Sequence, residues 1–137
     1  MNEITVDAVI KNVDVVTDFV NEILERHNCP IKVQVQVDIA IDELFGIIAR
    51  YAYKDKVGQA TVKVELKENP KEISIIFVDS GIPYNPLEKE DPDVTLSAEE
   101  RKVGGLGIYM VKKSMDEISY TYCNGQNQLV IKKYIHS

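Results

Sequence analysis

The sequence predicts an α+β fold, a two-layer α/β sandwich in which a mainly antiparallel sheet is covered by helices on one face. Two observations predict this class. Five segments are short β-branched or alternating runs, and three segments repeat apolar residues every three or four positions. Their order, β-α-α-β-β-loop-α-β-β, segregates helices from hairpins, as α+β sandwiches do. The 137 residues suit a single domain over positions 1–137.

The first third of the chain predicts one strand and two helices. Residues 4–10 are β-branched and roughly alternating, which indicates a strand. Residues 13–27 and about 33–53 carry apolar stripes at helical spacing, and the run Asn28, Cys29, Pro30 separates them. The stripe of the second helix is expected to contain Val37, Ile41, Leu44, Ile48 and Tyr51.

A hairpin and a long loop come next. Residues 62–66 alternate and predict a half-buried strand, residues 73–78 predict a more deeply buried one, and Asn69 with Pro70 supplies the turn. After Asp79 the chain enters a charged, proline-rich stretch longer than the ~4–6 residues of a typical connection. We expect a lid at about 84–103.

The last part of the chain predicts a helix and a second hairpin. The helical period resumes over residues 108–115, and residues 118–123 and 129–135 are strand-like. Residues 124–128, which contain an Asn-Gly pair, are expected to form the turn between these strands.

The composition and net charge argue against several classes of function. The net charge is −6 and the pI is near 4.9, which argues against a surface built for nucleic acid. Cys29 and Cys123 lie far apart without a Cys-x-x-Cys pair, so neither a metal site nor a disulfide framework is expected. The N-terminus lacks the features of a secretory signal and no run reaches ~18 apolar residues, so we expect a cytoplasmic protein without a membrane segment.

Residues 79–83, with the sequence DSGIP, form the first motif that carries chemistry. Asp79 ends a buried strand, and a carboxylate there can accept a hydrogen bond from an exocyclic amine such as that of adenine. Gly81 would let a flat ring approach the backbone. The alternative interpretation is an ordinary turn that ends a strand.

Gly104, Gly105, Leu106 and Gly107 form the second motif, directly before a predicted helix. Glycines remove the Cβ atoms that keep phosphate away, and a helix N-terminus offers free N–H donors with partial positive charge. An acidic protein can therefore hold an anion without a basic patch. A plain loop hinge is the alternative.

The third motif lies on the second helix, where Glu43, Ile47 and Arg50 share one face at i, i+4 and i+7. A carboxylate and a guanidinium placed in this way can flank the phosphates of a nucleotide, with the glutamate acting as a base. A solvated helix face is the alternative. Gly46, in the helix interior, indicates close packing or a nearby ligand.

The order of these three motifs resembles that of the GHKL or Bergerat-fold ATPases, and the chain looks most like the small anti-sigma-factor serine kinases of bacterial partner-switching systems. The resemblance covers nearly the whole chain. It implies that Asp79 and Gly81 bind adenine, that residues 104–107 wrap the phosphates beneath the lid, and that Arg50 contacts the nucleotide. Glu43 would be the general base, and ATP or ADP with Mg²⁺ would be the cofactors.

The same resemblance implies partners and a reaction. The reaction would be phosphoryl transfer from ATP to a serine of an anti-sigma-factor antagonist, by a homodimer that also holds a sigma factor. One residue departs from the pattern: Ile47 stands where the family has an asparagine that ligates Mg²⁺. Two further hypotheses therefore stay open, a binding-only switch protein without kinase activity and a generic GHKL ATPase or sensor-kinase catalytic domain.

Overall fold

Five strands and three α-helices follow one another in the predicted order within residues 2–54, 56–68, 71–88 and 106–135, the part of the chain that the computed structural model describes. The elements are β1 (Asn2–Asp7), α1 (Val13–Arg26), α2 (Ile31–Tyr51), β2 (Gln59–Lys67), β3 (Glu72–Asp79), α3 (Leu106–Ser114), β4 (Glu117–Cys123) and β5 (Gln126–Tyr134). Short 3₁₀ turns lie at Ile10–Asn12 and Pro86–Glu88.

The strands form one antiparallel sheet in the order β1-β2-β3-β5-β4. Burial alternates along β2 and β5, so the helices cover one face of the sheet while the other face meets solvent. In the middle of the helical layer, α2 packs against α1, α3 and β3. The predicted fold class, an α+β sandwich with an antiparallel sheet, is confirmed.

The core consists of the apolar residues that recur with the helical period in the helices and with the strand period in the sheet. Val16, Val20, Ile23 and Leu24 of α1 are fully buried, as the helical stripe predicts. In α2, Val37, Ile41 and Leu44 are fully buried and Ile48 is buried to a slightly lesser extent. The inclusion of Tyr51 in this stripe is wrong, because its side chain is 51% exposed at the last turn of the helix.

The α1–α2 junction shows why the first helix ends where it does. Asn28 adopts a left-handed backbone with φ 57°, a conformation that asparagine tolerates better than most residues. The N–H of Cys29 then reaches back to the carbonyl of Leu24 at 3.0 Å, which satisfies an orphan carbonyl of the last turn. Pro30 precedes α2, where a missing N–H costs nothing.

The β4–β5 hairpin is tighter than predicted. Asn124 and Gly125 both have positive φ, 55° and 75°, so the two of them form the whole turn. The prediction of a turn over residues 124–128 is therefore wrong, since β5 begins at Gln126 and pairs with Cys123. As a result Asn127 is a buried strand residue.

Two predicted features fall outside the described residues. The turn at Asn69 and Pro70 is one of them, and most of the lid predicted at about 84–103 is the other. Residues 84–88, the described beginning of that segment, include the 3₁₀ turn Pro86–Glu88 with a buried Pro86. No helix within the described ranges has the length and apolarity that a bilayer crossing needs.

Candidate functional site

A narrow cleft lies between α2, the carboxyl end of β3 and the start of β5, and we call it the Asp79 cleft. The space inside it has a volume of about 30 Å³, and the cleft is partly open to solvent. The walls are mostly aliphatic and aromatic, with Asp79 and Asn127 as the polar groups of the floor. The lining residues are Leu44, Ile47, Ile48, Tyr51, Ala52, Phe77, Asp79, Ile82, Tyr84, Pro86, Tyr120, Asn127 and Leu129.

Asp79 is the buried carboxylate of this cleft, with 6% of its surface exposed. Its Oδ1 accepts hydrogen bonds from the N–H of Gly81 and from Nδ2 of Asn127, both at 2.9 Å. These two bonds fix the plane of the carboxyl group. Because the hydrogen bonds among the described residues reach only Oδ1, the Oδ2 atom is left to accept a proton donor that enters the cleft.

Asn127 is a site residue that the sequence interpretation missed. Its Nδ2 donates both to Asp79 and to the carbonyl of Ile82 at 2.9 Å. Its Oδ1 accepts from the N–H of Tyr84 at 3.2 Å and from the hydroxyl of Tyr120. Burial raises the pKa of the Tyr120 phenol, which keeps that hydroxyl protonated and able to donate. Asn127 thus ties the end of β3 to the turn after it.

Position 81 requires a glycine because the turn after Asp79 packs closely against the end of α2. A Cβ at this position would stand 2.2 Å from the carbonyl oxygen of Ala52, at the end of α2. The neighbouring N–H of Ile82 donates to that same oxygen at 2.9 Å. The turn after Asp79 therefore lies directly on the end of the helix, and only a residue without a side chain fits there.

Glu43 and Gly107 meet between α2 and α3. Glu43 is half-buried, and a Cβ at Gly107 would stand 2.1 Å from its Oε2. The carboxylate lies at the first turn of α3, where the free N–H groups and the helix dipole favour negative charge. Of the predicted phosphate loop, Gly107 and the backbone of Leu106 are described, whereas Gly104 and Gly105 lie outside the described residues.

Ile47 is part of the apolar wall of the Asp79 cleft. Its half-buried side chain lies beside those of Leu44 and Ile48 and packs against the core. Mg²⁺ needs oxygen ligands in octahedral arrangement, and a branched hydrocarbon one turn from Glu43 offers none. In the described part of the chain no three His, Cys, Asp or Glu residues cluster as metal ligands. The described residues of this face do not fit the Mg²⁺ ion that the family resemblance implies.

Arg50 lies at the rim of the cleft rather than inside it. Its Nη1 atom would be 3.1 Å from a Cβ at Gly46, so the guanidinium folds back over that glycine, one turn towards Glu43. Arg50 also lines an open depression of about 540 Å³, together with Tyr51, Lys54, Ile82 and Tyr84. The rings of Tyr51 and Tyr84 lie 5.8 Å apart at 41°. The depression shares three lining residues with the Asp79 cleft, so the two lie next to each other.

The described residues place the predicted site residues in two groups. Asp79 and Gly81 form the floor and the adjoining turn, Arg50 lies at the rim, and Glu43 meets Gly107 at the start of α3. An antiparallel sheet under three helices, with a buried aspartate at the end of its central strand, defines a class of domain, the α+β sandwich with a polar site at the end of that strand. The chain belongs to the histidine kinase-like ATPase domain family, whose model matches residues 6–133.

Curated relatives are similar over a shorter span. Serine-protein kinase RsbW of Bacillus thuringiensis (strain Al Hakam) and of Bacillus anthracis are each 33% identical over 98 residues, which is 69% of this chain and 60% of theirs. The enzyme of the same name from Bacillus mycoides (strain KBAB4) matches to the same extent. The aligned part thus spans about 60% of the length of these relatives.

A solved structure shares the fold at low sequence identity. The crystal structure of the RsbU and RsbW domains of Rv1364c from Mycobacterium tuberculosis superposes with a TM-score of 0.68 and 14% identity. The match covers 100% of this chain and 34% of that one. The predicted resemblance to this superfamily is confirmed by the family match and by the fold.

Proposed function

We propose that the chain binds adenine nucleotides, ATP and ADP, in the Asp79 cleft. The observation that carries the proposal is the buried Asp79, whose Oδ1 accepts from two donors while no hydrogen bond among the described residues reaches Oδ2. Adenine presents an exocyclic amine that can donate to this carboxylate, whereas guanine presents a carbonyl oxygen that would repel it. The apolar walls of the cleft suit the faces of a purine ring.

Binding of a purine requires the cleft to widen. A volume of about 30 Å³ holds one or two water molecules and no purine ring. Tyr51 and Tyr84 lie at the entrance, and the ring of Tyr51 is half exposed. We propose that these two rings move apart when the base enters and then cover it.

We propose that the biological role of the chain is that of an anti-sigma-factor-like regulator. It would act in the cytoplasm as a homodimer that holds a sigma factor or an anti-sigma-factor antagonist, with Glu43 as the general base if it phosphorylates the antagonist. The support is the similarity to the RsbW serine-protein kinases over 69% of the chain. A binding-only regulator is the second candidate, which Ile47 favours because it removes the expected metal ligand.

The nucleotide proposal is tested by calorimetric titration of ADP and GDP into the protein and its Asp79→Asn variant. We expect ADP to bind more tightly than GDP, and the variant to lose about tenfold or more in ADP affinity because a charge-assisted hydrogen bond is lost. Asp14→Asn, which changes an exposed carboxylate of α1, is the matched control. Equal ADP affinities of the Asp79→Asn variant and the parent would refute the assignment.

The two regulatory candidates differ in phosphoryl transfer. The protein is incubated with labelled ATP and with the sigma factors and antagonist proteins of its own organism, and both complex formation and transfer to serine are measured. A binding-only regulator forms the complexes and transfers no label, whereas a kinase labels the antagonist. If neither class of protein binds, the anti-sigma role is wrong, although the nucleotide site is unaffected.

A further inference from the structure

We infer that the guanidinium of Arg50, and not a divalent cation, holds the nucleotide phosphates in this site, so that ADP binds equally well with and without Mg²⁺. The inference rests on the proposed nucleotide binding and goes beyond it, since it assigns the cation of the site. Its ligand class is a nucleotide polyphosphate without bound metal. Four observations support it.

The first observation is the chemistry of the α2 face. Ile47 presents hydrocarbon to the cleft, together with Leu44 and Ile48. A hydrated Mg²⁺ ion gives up its water only for oxygen ligands, so an apolar wall disfavours it at this point. The face that would have carried the metal is apolar.

The second observation is where the guanidinium lies. Gly46 has no side chain, and Arg50 uses that space: Nη1 would be only 3.1 Å from a Cβ there, and the guanidinium carbon 3.7 Å. A side chain at position 46 would push the group outwards. The absence of one lets the positive charge lie one helical turn closer to Ile47 and Glu43, beside the place where the metal is missing.

The third observation is that Arg50 borders open space next to the Asp79 cleft. It lines the depression of about 540 Å³ together with Lys54, and that depression shares Tyr51, Ile82 and Tyr84 with the cleft. With the base at Asp79, the inference places the phosphates in this adjacent basic depression. The ion pairs between described residues involve Lys132 and Lys133, so Arg50 is not held by either of them. A planar guanidinium binds phosphate oxygens through two parallel hydrogen bonds.

The position of Glu43 is the fourth observation. Its carboxylate occupies the first turn of α3, the end of the helix that attracts anions. Because a negative group already lies at that end, phosphates gain less from the helix dipole there. The phosphates therefore need a cation elsewhere. Arg50 lies further along the same helix, α2, in the turns that follow Glu43.

The test measures ADP and adenosine affinities by calorimetry, in excess EDTA and in excess Mg²⁺, for the protein and three variants. We expect the parent to bind ADP with dissociation constants that agree within about twofold in the two buffers, and more tightly than adenosine. Arg50→Gln should lose about tenfold in ADP affinity and nothing for adenosine, because a charged hydrogen bond to phosphate is removed. Arg50→Lys keeps the positive charge but cannot form two parallel hydrogen bonds with a phosphate. Its ADP affinity should therefore lie between those of the parent and Arg50→Gln.

Arg26→Gln is the matched control, since Arg26 is an exposed arginine in the last turn of α1. It makes the same change of charge away from the cleft and should leave both affinities unchanged. ADP binding that requires Mg²⁺, or an equal loss in Arg50→Gln and Arg26→Gln, overturns the inference while the Asp79 site stands. Failure of both ADP and adenosine to bind overturns the proposed nucleotide site itself and this inference with it.

Discussion

The carboxyl group of Glu43 in α2 lies against the α-carbon of Gly107 in α3, so closely that a Cβ at position 107 would stand 2.1 Å from Oε2 and from Cδ. This contact joins the helix that carries the proposed base to the helix that follows the predicted phosphate loop. Glycine at 107 is thus needed for a reason that the sequence pattern does not reveal. It makes room for a glutamate and does not only clear space for phosphate.

Replacing Gly107 by alanine should have different effects in two backgrounds. In the parent, the new methyl group must displace the Glu43 carboxylate, which cancels the gain in helix propensity. In the Glu43→Ala variant the space is free, so Gly107→Ala should raise the free energy of unfolding by about 0.5–1 kcal/mol. Urea unfolding of the four proteins of this double-mutant cycle measures the coupling, and additive effects would show that the two residues do not touch in solution.

Asn127→Ala should destabilise the fold by about 1–3 kcal/mol, because it leaves Asp79 Oδ1, the Ile82 carbonyl and the Tyr120 hydroxyl without a shared partner. The urea midpoint should fall with no change in the m-value. Gln128→Ala is the control, since Gln128 is the exposed neighbour on the other face of β5. Equal midpoints for the two variants would show that the Asn127 network contributes nothing to stability.

The sequence predicts the order of elements because each helix and strand buries one face, and that burial imposes a period of 3.6 or 2 on the residues. It fails at Asn127 for a local reason. The polar run after Asn124 resembles a long turn, yet an Asn-Gly pair closes a hairpin with two residues. Applying that rule would have placed Asn127 on the inward face of β5, opposite Asp79 in the sheet register.

Parts of the site depend on contacts that no spacing encodes. Asp79 was predictable because a carboxylate at the end of an apolar strand is conspicuous. The position of the Arg50 guanidinium over Gly46 depends on which rotamer the side chain adopts. The contact between Glu43 and Gly107 joins residues that are distant in sequence. Such contacts arise from the packing of α2 against its neighbours, which only the folded chain specifies.

Gly81→Ala should be more damaging than Gly107→Ala. A Cβ at 81 would meet the backbone oxygen of Ala52 at 2.2 Å, and a backbone atom at a helix end cannot swing away as a carboxylate can. We expect a loss of about 1–3 kcal/mol in unfolding free energy, together with weaker ADP binding as the turn after Asp79 shifts. Ser80→Ala, at the exposed neighbouring position, should leave both measurements near those of the parent.

The two thiols should react at very different rates. Cys123 is exposed and Cys29 is buried, and burial raises the pKa of the Cys29 thiol, which lowers its thiolate fraction further. Labelling with an aromatic disulfide reagent should give one fast equivalent in the native protein and a second only after urea is added. The fast phase should vanish in Cys123→Ser, and a fast phase that survives there would contradict the burial of Cys29.

Tyr134 should titrate later than an ordinary tyrosine. Its hydroxyl donates a hydrogen bond to the Glu117 carboxylate, and this bond, ahead of desolvation and of the charge of Glu117, raises the pKa of Tyr134 from 10.0 to about 12. Because the folded pKa is the higher one, the contribution of this pair to stability is complete below pH 10 and is lost as the pH rises through about 12. The stability difference between the parent and Tyr134→Phe should therefore shrink over that interval.

The tyrosinate absorbance of the parent minus that of Tyr134→Phe gives the titration of Tyr134 directly, and Glu117→Gln should move its midpoint towards 10. A difference titration centred near 10 in the parent itself would show that the hydrogen bond to Glu117 does not form.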